Sequence, residues 1–417
     1  VSTPPAPVPP ALHVGSPQRP PALSGGLLLI LALLSAVAPF ATDLYLPSFL
    51  AIGHEFEATP TGVQLTLTAF LLGIAAGQLV FGPLSDRFGR RPLLLIGAAV
   101  LVASSLGAVY APSLGMLIGA RLLQGMSGAA GMVLSRAIIS DLARGAAVAR
   151  AMSLMMIVTG VAPVIAPLVG GLFADALGWR GVLAIVLGIA AIMLVAAIFG
   201  VRESLTPARR AELAQAKLAL GSPLRDLLSR QYLGYTVAFA SAFTAMMAYI
   251  SASPFLYQSL IGVSELQYGL LFGLNALGLM GASAISARWV GRIPPRRLIS
   301  FGLSGVVVGS VAVVCCAIAP ITPWSIAAAV FVVVASLGFV LGNSTALALG
   351  AVPRAAGSAS ALLGALQFGL AALASPLVSI AGERTAVPLG IVMTCAAAIA
   401  VIAFLIAQPR HSPVRHA

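Results

Sequence analysis

The sequence predicts an all-α polytopic membrane protein of twelve spanning helices divided into two six-helix halves. Three observations carry that prediction. Of 417 residues, 59% are apolar and only 8% are charged, with a mean hydropathy of +1.04. Soluble domains run at about 45–50% apolar and about 25% charged, so too few charged groups are present here to cover a water-exposed surface. Apolar runs near the ~20 residues that a helix needs to cross a bilayer recur along the chain, and their unbroken character excludes a transmembrane β-barrel. The longest polar segment, residues 202–230 with six basic and three acidic side chains, divides the runs six and six.

In chain order, residues 1–24 hold eight prolines and one arginine, a composition with nothing to pack, and read as a disordered tail. Breaks of Pro, Gly and charge then bound spans 1 to 12 near 25–50, 62–82, 92–110, 113–140, 149–173, 180–201, 231–260, 266–288, 297–319, 322–350, 355–381 and 386–408. This gives a first bundle over 25–201, a linker over 202–230, a second bundle over 231–408 and a tail over 409–417. Ala36-Val37-Ala38 has the look of a signal-peptidase site, but Pro39 follows it and apolar sequence continues to Leu50, so span 1 reads as retained. A weak internal echo supports duplication: Phe70, Gly89 and Arg90 recur as Phe272, Gly291 and Arg292 at one common offset.

An even number of spans puts both ends of the chain on one side. Of 23 basic residues, 20 then lie in or beside the tails and even-numbered connections: Arg19; Arg87, Arg90 and Arg91; Arg136, Arg144 and Arg150; the six from Arg202 to Arg230; the four from Arg288 to Arg297; Arg354; Arg410 and Arg415. Only Arg180 and Arg384 fall on the other side, and Arg121 lies within a span. The asymmetry predicts cytoplasmic termini, and the net charge of +12 is a topology signal with no nucleic-acid partner implied. Cys315, Cys316 and Cys395 sit inside apolar runs, with neither disulfide nor metal-ligand spacing. A polytopic membrane enzyme would need a catalytic constellation. The chain has no HExxH, no acidic cluster, no Walker-type glycine loop and only four histidines, His13, His54, His411 and His416. No cofactor is expected.

The connection between spans 2 and 3 reads Gly82-Pro-Leu-Ser-Asp86-Arg87-Phe-Gly89-Arg90-Arg91-Pro92. A two-residue turn at Phe88-Gly89 brings the spans together, and Asp86 is placed to meet a helix N-terminus or a cation as a conformational latch. A positive-inside loop explains the arginines but not the ordered Gly, Asp and Gly. This loop resembles the signature of the major facilitator superfamily. Span 4 carries Arg121-Leu-Leu-Gln124-Gly125-Met-Ser-Gly128, with the named residues on one face, which resembles the motif of that superfamily's drug:proton antiporters. Span 5 reads Gly160-Val-Ala-Pro163-Val-Ile-Ala166-Pro167-Leu-Val-Gly170-Gly171, similar to the motif shared by its antiporters, with Ala166 where the pattern has Gly.

Asp43 is the only acidic side chain well inside an apolar run, and it lies at the same depth as Arg121, roughly 12 Å from the outer end at 1.5 Å per residue. Equal depth permits pairing. An intramembrane charge costs at least about 2.5–3.5 kcal/mol at mid-bilayer and normally pairs or faces a wet cavity. The pair therefore reads either as a proton-coupling site, where protonation of Asp43 frees Arg121, or as a static structural ion pair. Tyr232, Tyr235, Phe239 and Phe243 form one face of span 7 ahead of Tyr249 and Pro254, readable as packing or as a wall for apolar ligands. Tyr45 and Gln124 are further cavity candidates, and Asn275, Asn343 and Gln367, lone polar side chains in spans 8, 10 and 11, read either as cavity residues or as bonds between neighbouring helices.

The stretches ATDLYLPSF in span 1, AYISASPF in span 7 and Gly342-Asn343-Ser-Thr-Ala-Leu-Ala-Leu in span 10, with the motifs of spans 4 and 5, resemble the bicyclomycin and chloramphenicol resistance (Bcr/CflA) group of the superfamily over about residues 25–408. Two departures stand out: Arg288 occupies the second-half position of Asp86, and Gly342 stands where Pro is expected. The resemblance implies two pseudo-symmetric six-helix bundles around a central cavity, and export of small drug-like molecules by a monomer in the bacterial inner membrane, driven by the proton gradient. Export of an endogenous metabolite or sugar by the same cycle is the alternative.

Overall fold

The computed structural model describes residues 23–143, 146–206, 209–212, 215, 224–319, 322–382 and 385–408. Most of the expected tails, parts of the linker, and Arg144 and Arg384 lie outside the described residues. Among those described there are eleven long apolar helical stretches, and one of them, Arg150–Gly200, is far too long for a single crossing. It belongs to a helix Ala146–Gly200 that breaks at Gly178, whose φ of 62° suits only a residue without a side chain. The break separates spans 5 and 6, so the total is twelve.

Spans 2 to 4 are Pro60–Phe88, Arg90–Val109 and Leu114–Leu142. Spans 8 to 10 are Glu265–Trp289, Pro295–Ile318 and Pro323–Gly350, and span 12 is Val387–Ala407. Span 1 corrects the expectation of one continuous helix. Its α-helix Gly25–Asp43 stops, a 3-10 turn Leu46–Ser48 follows, and a short helix Phe49–Glu55 completes the crossing. The cause is Pro47, which has no N–H for the carbonyl of Asp43, four residues earlier. Asp43 is therefore the last residue of the helix proper. Span 7 repeats the device: Arg230–Pro254 passes into a π-helix, Phe255–Ile261. Span 11, Ala356–Ala374, likewise gives way to a 3-10 segment, Ser375–Ser379, that carries Pro376.

Side-chain contacts identify the two ends of the bundle. At the end carrying most of the arginines, the basic end, the N–H of Arg90 donates to Glu203, beyond span 6, and Arg91 Nε donates to the Val201 carbonyl. At the opposite end Glu55 accepts from Trp179 Nε1 at 2.6 Å and pairs with Arg180, which also donates to the carbonyl of Ala111. Those contacts join the connections between spans 1 and 2, 3 and 4, and 5 and 6. Large apolar side chains such as Phe199, Ile192, Ile318 and Ile380 cover the outside, as a lipid-facing surface requires.

The halves meet chiefly along span 5 against span 8 and span 2 against span 11. Gly171 lies on the carbonyl of Glu265 and Gly269 on that of Pro167, so backbones touch where any side chain would collide. At the other seam Gln78 packs directly on Gly364.

Candidate functional site

Between the halves lies a cavity of about 350 Å³ lined by spans 1, 2, 4 and 5 of the first bundle and 7, 8, 10 and 11 of the second. Asp43 is on its wall, carried there by the helix that Pro47 terminates. Tyr249 and Phe272 line the opposite side with their rings stacked at 5.8 Å, and Asn275 is held by Tyr257 Oη at 3.1 Å and the Leu271 carbonyl at 2.9 Å. Phe243, Phe368, Gln367 and four methionines, Met132, Met156, Met246 and Met247, complete much of the lining. Gly160 and Pro163 of span 5 face this space, whereas Pro167 and Gly171 lie against span 8.

Four expected cavity residues lie elsewhere. Tyr45 bonds Thr66 Oγ1 at 3.0 Å inside the first bundle. Gln124 donates to Ser105 Oγ at 2.7 Å. Asn343 donates to Ser286 Oγ and the Phe339 carbonyl, tying span 10 to span 8. Phe239 stacks on Phe243 at 6.4 Å, one turn along span 7 and outside the lining. Each satisfies its polar or aromatic surface against neighbours of its own bundle, which is the general rule for buried polar groups.

The pairing that equal depth permits between Asp43 and Arg121 is not made: no ion pair joins them among the described residues. Arg121 is wholly enclosed, its guanidinium carbon 4.1 Å from the Tyr45 ring centre and 4.2 Å from that of Phe70. Its Nη1 donates to Gln124 Oε1 at 2.6 Å, and Nε and Nη2 have no hydrogen-bond partner among the described residues. The packing register explains the substitution of partner. Gly128 lies against Ala38 and Gly131 against the Leu34 carbonyl, so antiparallel counting brings Tyr45, two residues past Asp43, to Arg121. A ring fills the place that equal depth left open to the carboxylate. Gly125 allows this, because it seats the span on the carbonyl of Phe70.

At the basic end the chain turns on Gly89 alone, with φ at 104°, and Phe88 stays helical. Arg90 is buried and forms the hub, bonding Asp86 at 2.6 Å, Asp141 at 3.1 Å and Ser85. Glu203 caps span 3 by accepting the N–H groups of Arg90 and Arg91, a carboxylate at a positive helix end. Arg91 also holds the Val201 and Ile198 carbonyls, while Arg87 is exposed over the Phe88 ring; Gly82 lies near Val133. Asp141 and Glu203 were not singled out from sequence, although Asp141 is the only acidic residue of span 4.

The opposite end is closed by bonds across the two bundles. Gln64 Nε2 donates to the Ser251 carbonyl at 3.0 Å and to Ser379 Oγ at 2.8 Å, Thr61 reaches the Ser379 carbonyl, and Gln258 Nε2 donates to the Pro47 carbonyl. Both glutamines were legible as lone amides in apolar runs. Arg136, counted above with a basic connection, belongs to the body of span 4 and lines the cavity. The cavity thus runs from Asp43 toward the basic end as far as Arg136 and Met156. No group of three or more metal-ligating side chains occurs among the described residues, and the three cysteines are free.

The family model described as the Major Facilitator Superfamily matches residues 31–376. The chain is 34% identical to an uncharacterised transporter of that type, YdgK of Bacillus subtilis, over 91% of its own length and 94% of the relative's. It is 30% identical to a bicyclomycin resistance protein homologue of Haemophilus influenzae, over 92% and 96% of the two chains. In three dimensions it is similar to a D-xylose-proton symporter, with a TM-score of 0.73 at 17% identity, covering 90% of this chain and 96% of that one. A central cavity between two six-helix bundles, a signature loop clasped at one end and full-length sequence relatives converge on one assignment: the chain belongs to the major facilitator superfamily, a family of membrane transporters and not of enzymes.

Proposed function

We propose that this protein exports small drug-like molecules in exchange for protons, by alternating exposure of the central cavity to the two sides of a bacterial inner membrane. The observation that carries the reading is Asp43 on the cavity wall, a carboxylate placed where a proton and a ligand compete for one site. Positive-inside bias puts the basic end in the cytoplasm. On that orientation the cavity faces the cell interior, and the hydrogen bonds of Gln64 and Gln258 keep the outer side shut. Ligand enters, displaces the proton of Asp43 inward, and the bundles rock until those outer bonds part. Reprotonation from outside then returns the empty carrier. One proton supplies about 2.3 kcal/mol per 100 mV plus its pH component, against about 1.4 kcal/mol for each tenfold of ligand gradient.

The lining favours breadth of cargo. Methionine side chains are unbranched and polarizable and repack around different shapes, and the neighbouring aromatic rings stack on flat molecules. The resistance homologue supports an antibiotic as cargo. Arg121, sealed from the cavity, acts as a positioning residue: it holds Tyr45 in the turn immediately after Asp43. Span 5 supplies a hinge, with Pro163 on the cavity side and Pro167 and Gly171 at the contact with span 8. Arg90, Asp86 and Asp141 brace the basic end of the first bundle as it moves. A panel of antibiotics tested on an efflux-deficient bacterium expressing this chain, with and without a protonophore, tests the reading. Resistance that the protonophore abolishes is expected; resistance indifferent to it would refute proton coupling.

A further inference from the structure

We propose that Arg136 anchors an anionic group of the cargo, so that the preferred ligands are amphipathic organic anions whose apolar body lies along the methionine and aromatic walls. The inference rests on the central cavity being the ligand site. Among the described arginines Arg136 is the one that lines the central cavity. Arg90 and Arg91 spend their donors on carboxylates and carbonyls, Arg121 is sealed among rings, and Arg87, Arg288, Arg292 and Arg297 are exposed. Arg136 is half-buried on the cavity wall, and no ion pair or side-chain hydrogen bond holds its guanidinium among the described residues. Topology alone asks only for positive charge near the basic end, which the exposed arginines already supply. A cation kept partly out of water, with its donors free, is a recognition element for an anion.

Position makes the case more specific. The register of Gly131 on Leu34 puts Arg136 beyond the level of Leu34, and a helical side chain leans toward its own N-terminus, here toward Ser35 on the same cavity wall. Asp43 lies eight residues further along span 1, roughly 12 Å away at 1.5 Å per residue. The two charges are too far apart to neutralise each other and mark the two ends of one chamber. Met132, Met156 and Phe243 occupy the wall with them. A ligand held by its anion at Arg136 therefore lays its apolar body along this wall, and a cationic or hydrogen-bond-donating group at its far end is what displaces the proton of Asp43.

The test uses the full chain in detergent and two fluorescent probes of equal shape, dansylglycine and its uncharged amide, dansylglycinamide. The wild type should bind the anion several-fold more tightly. Arg136→Met should weaken dansylglycine about tenfold and the amide less than about twofold, as loss of one charge-assisted hydrogen bond implies. Arg136→Lys, which keeps the charge, should stay within about threefold of wild type for both. Equal wild-type affinities, or equal losses for both probes in Arg136→Met, would overturn the anion site. Ala276→Trp, which fills the cavity, should abolish both signals. Probe binding that survives it would instead overturn the cavity as ligand site.

Discussion

Asp43 and Arg121 lie at the same depth in adjacent spans, yet one borders a chamber and the other is shut among rings. A charge inside a bilayer is costly wherever it sits, and the surroundings decide what that cost is spent on. Arg121 recovers it locally through two aromatic faces and Gln124, which makes it part of the scaffold. No ion pair holds Asp43 among the described residues, which on the proposed reading leaves its charge for exchange with a proton or a ligand. The contrast predicts opposite phenotypes for neutralising the two residues.

The largest effect should come from Asp43→Asn. Export driven by a pH gradient in inverted vesicles should fall by about a hundredfold or more, equivalent to at least about 2.7 kcal/mol of barrier, with fold and thermal stability retained. Undiminished export would remove Asp43 from the mechanism. Arg121→Met should do the reverse, lowering stability by about 2–3 kcal/mol through loss of two cation–π contacts and a charged hydrogen bond. Denaturation in detergent reads this, and an unchanged midpoint would mean that the cage contributes nothing. Gln64→Leu tests the closed end: losing two cross-bundle hydrogen bonds at about 1 kcal/mol each should raise the outward-open population by roughly tenfold or more. Faster maleimide labelling of Ser48→Cys would register the opening, and equal rates would contradict the assignment. The smallest change is expected from Asp86→Asn. Arg90 keeps Asp141 and Ser85, so turnover should slow by about threefold at constant ligand affinity. A pure affinity loss with normal turnover would argue against a conformational role.

The architecture was legible because it follows from bulk properties: apolar run length, one-sided arginines and the polar stretch between the sixth and seventh spans. The kink of span 1 was also within reach, since Pro47 lies four residues past Asp43 and must release its carbonyl. Azimuth was not. Counting residues gives depth to within a turn but says little about which neighbour a side chain meets, and so Tyr45 came to Arg121 in place of Asp43. The same blindness put Gln124 and Asn343 on the cavity wall, although their amides are taken up inside the bundles. Arg136 was hidden for a related reason. Proximity to a basic connection assigned it to topology, while its turn of span 4 faces inward.

The central claim is that ligand and proton compete for Asp43, and proton release on ligand binding tests it most directly. In weakly buffered detergent solution, a saturating transported drug added to the wild type should release protons detectable by a pH dye, and Asp43→Asn should release none while still binding drug. No release from the wild type, or the same release from both proteins, would contradict the account.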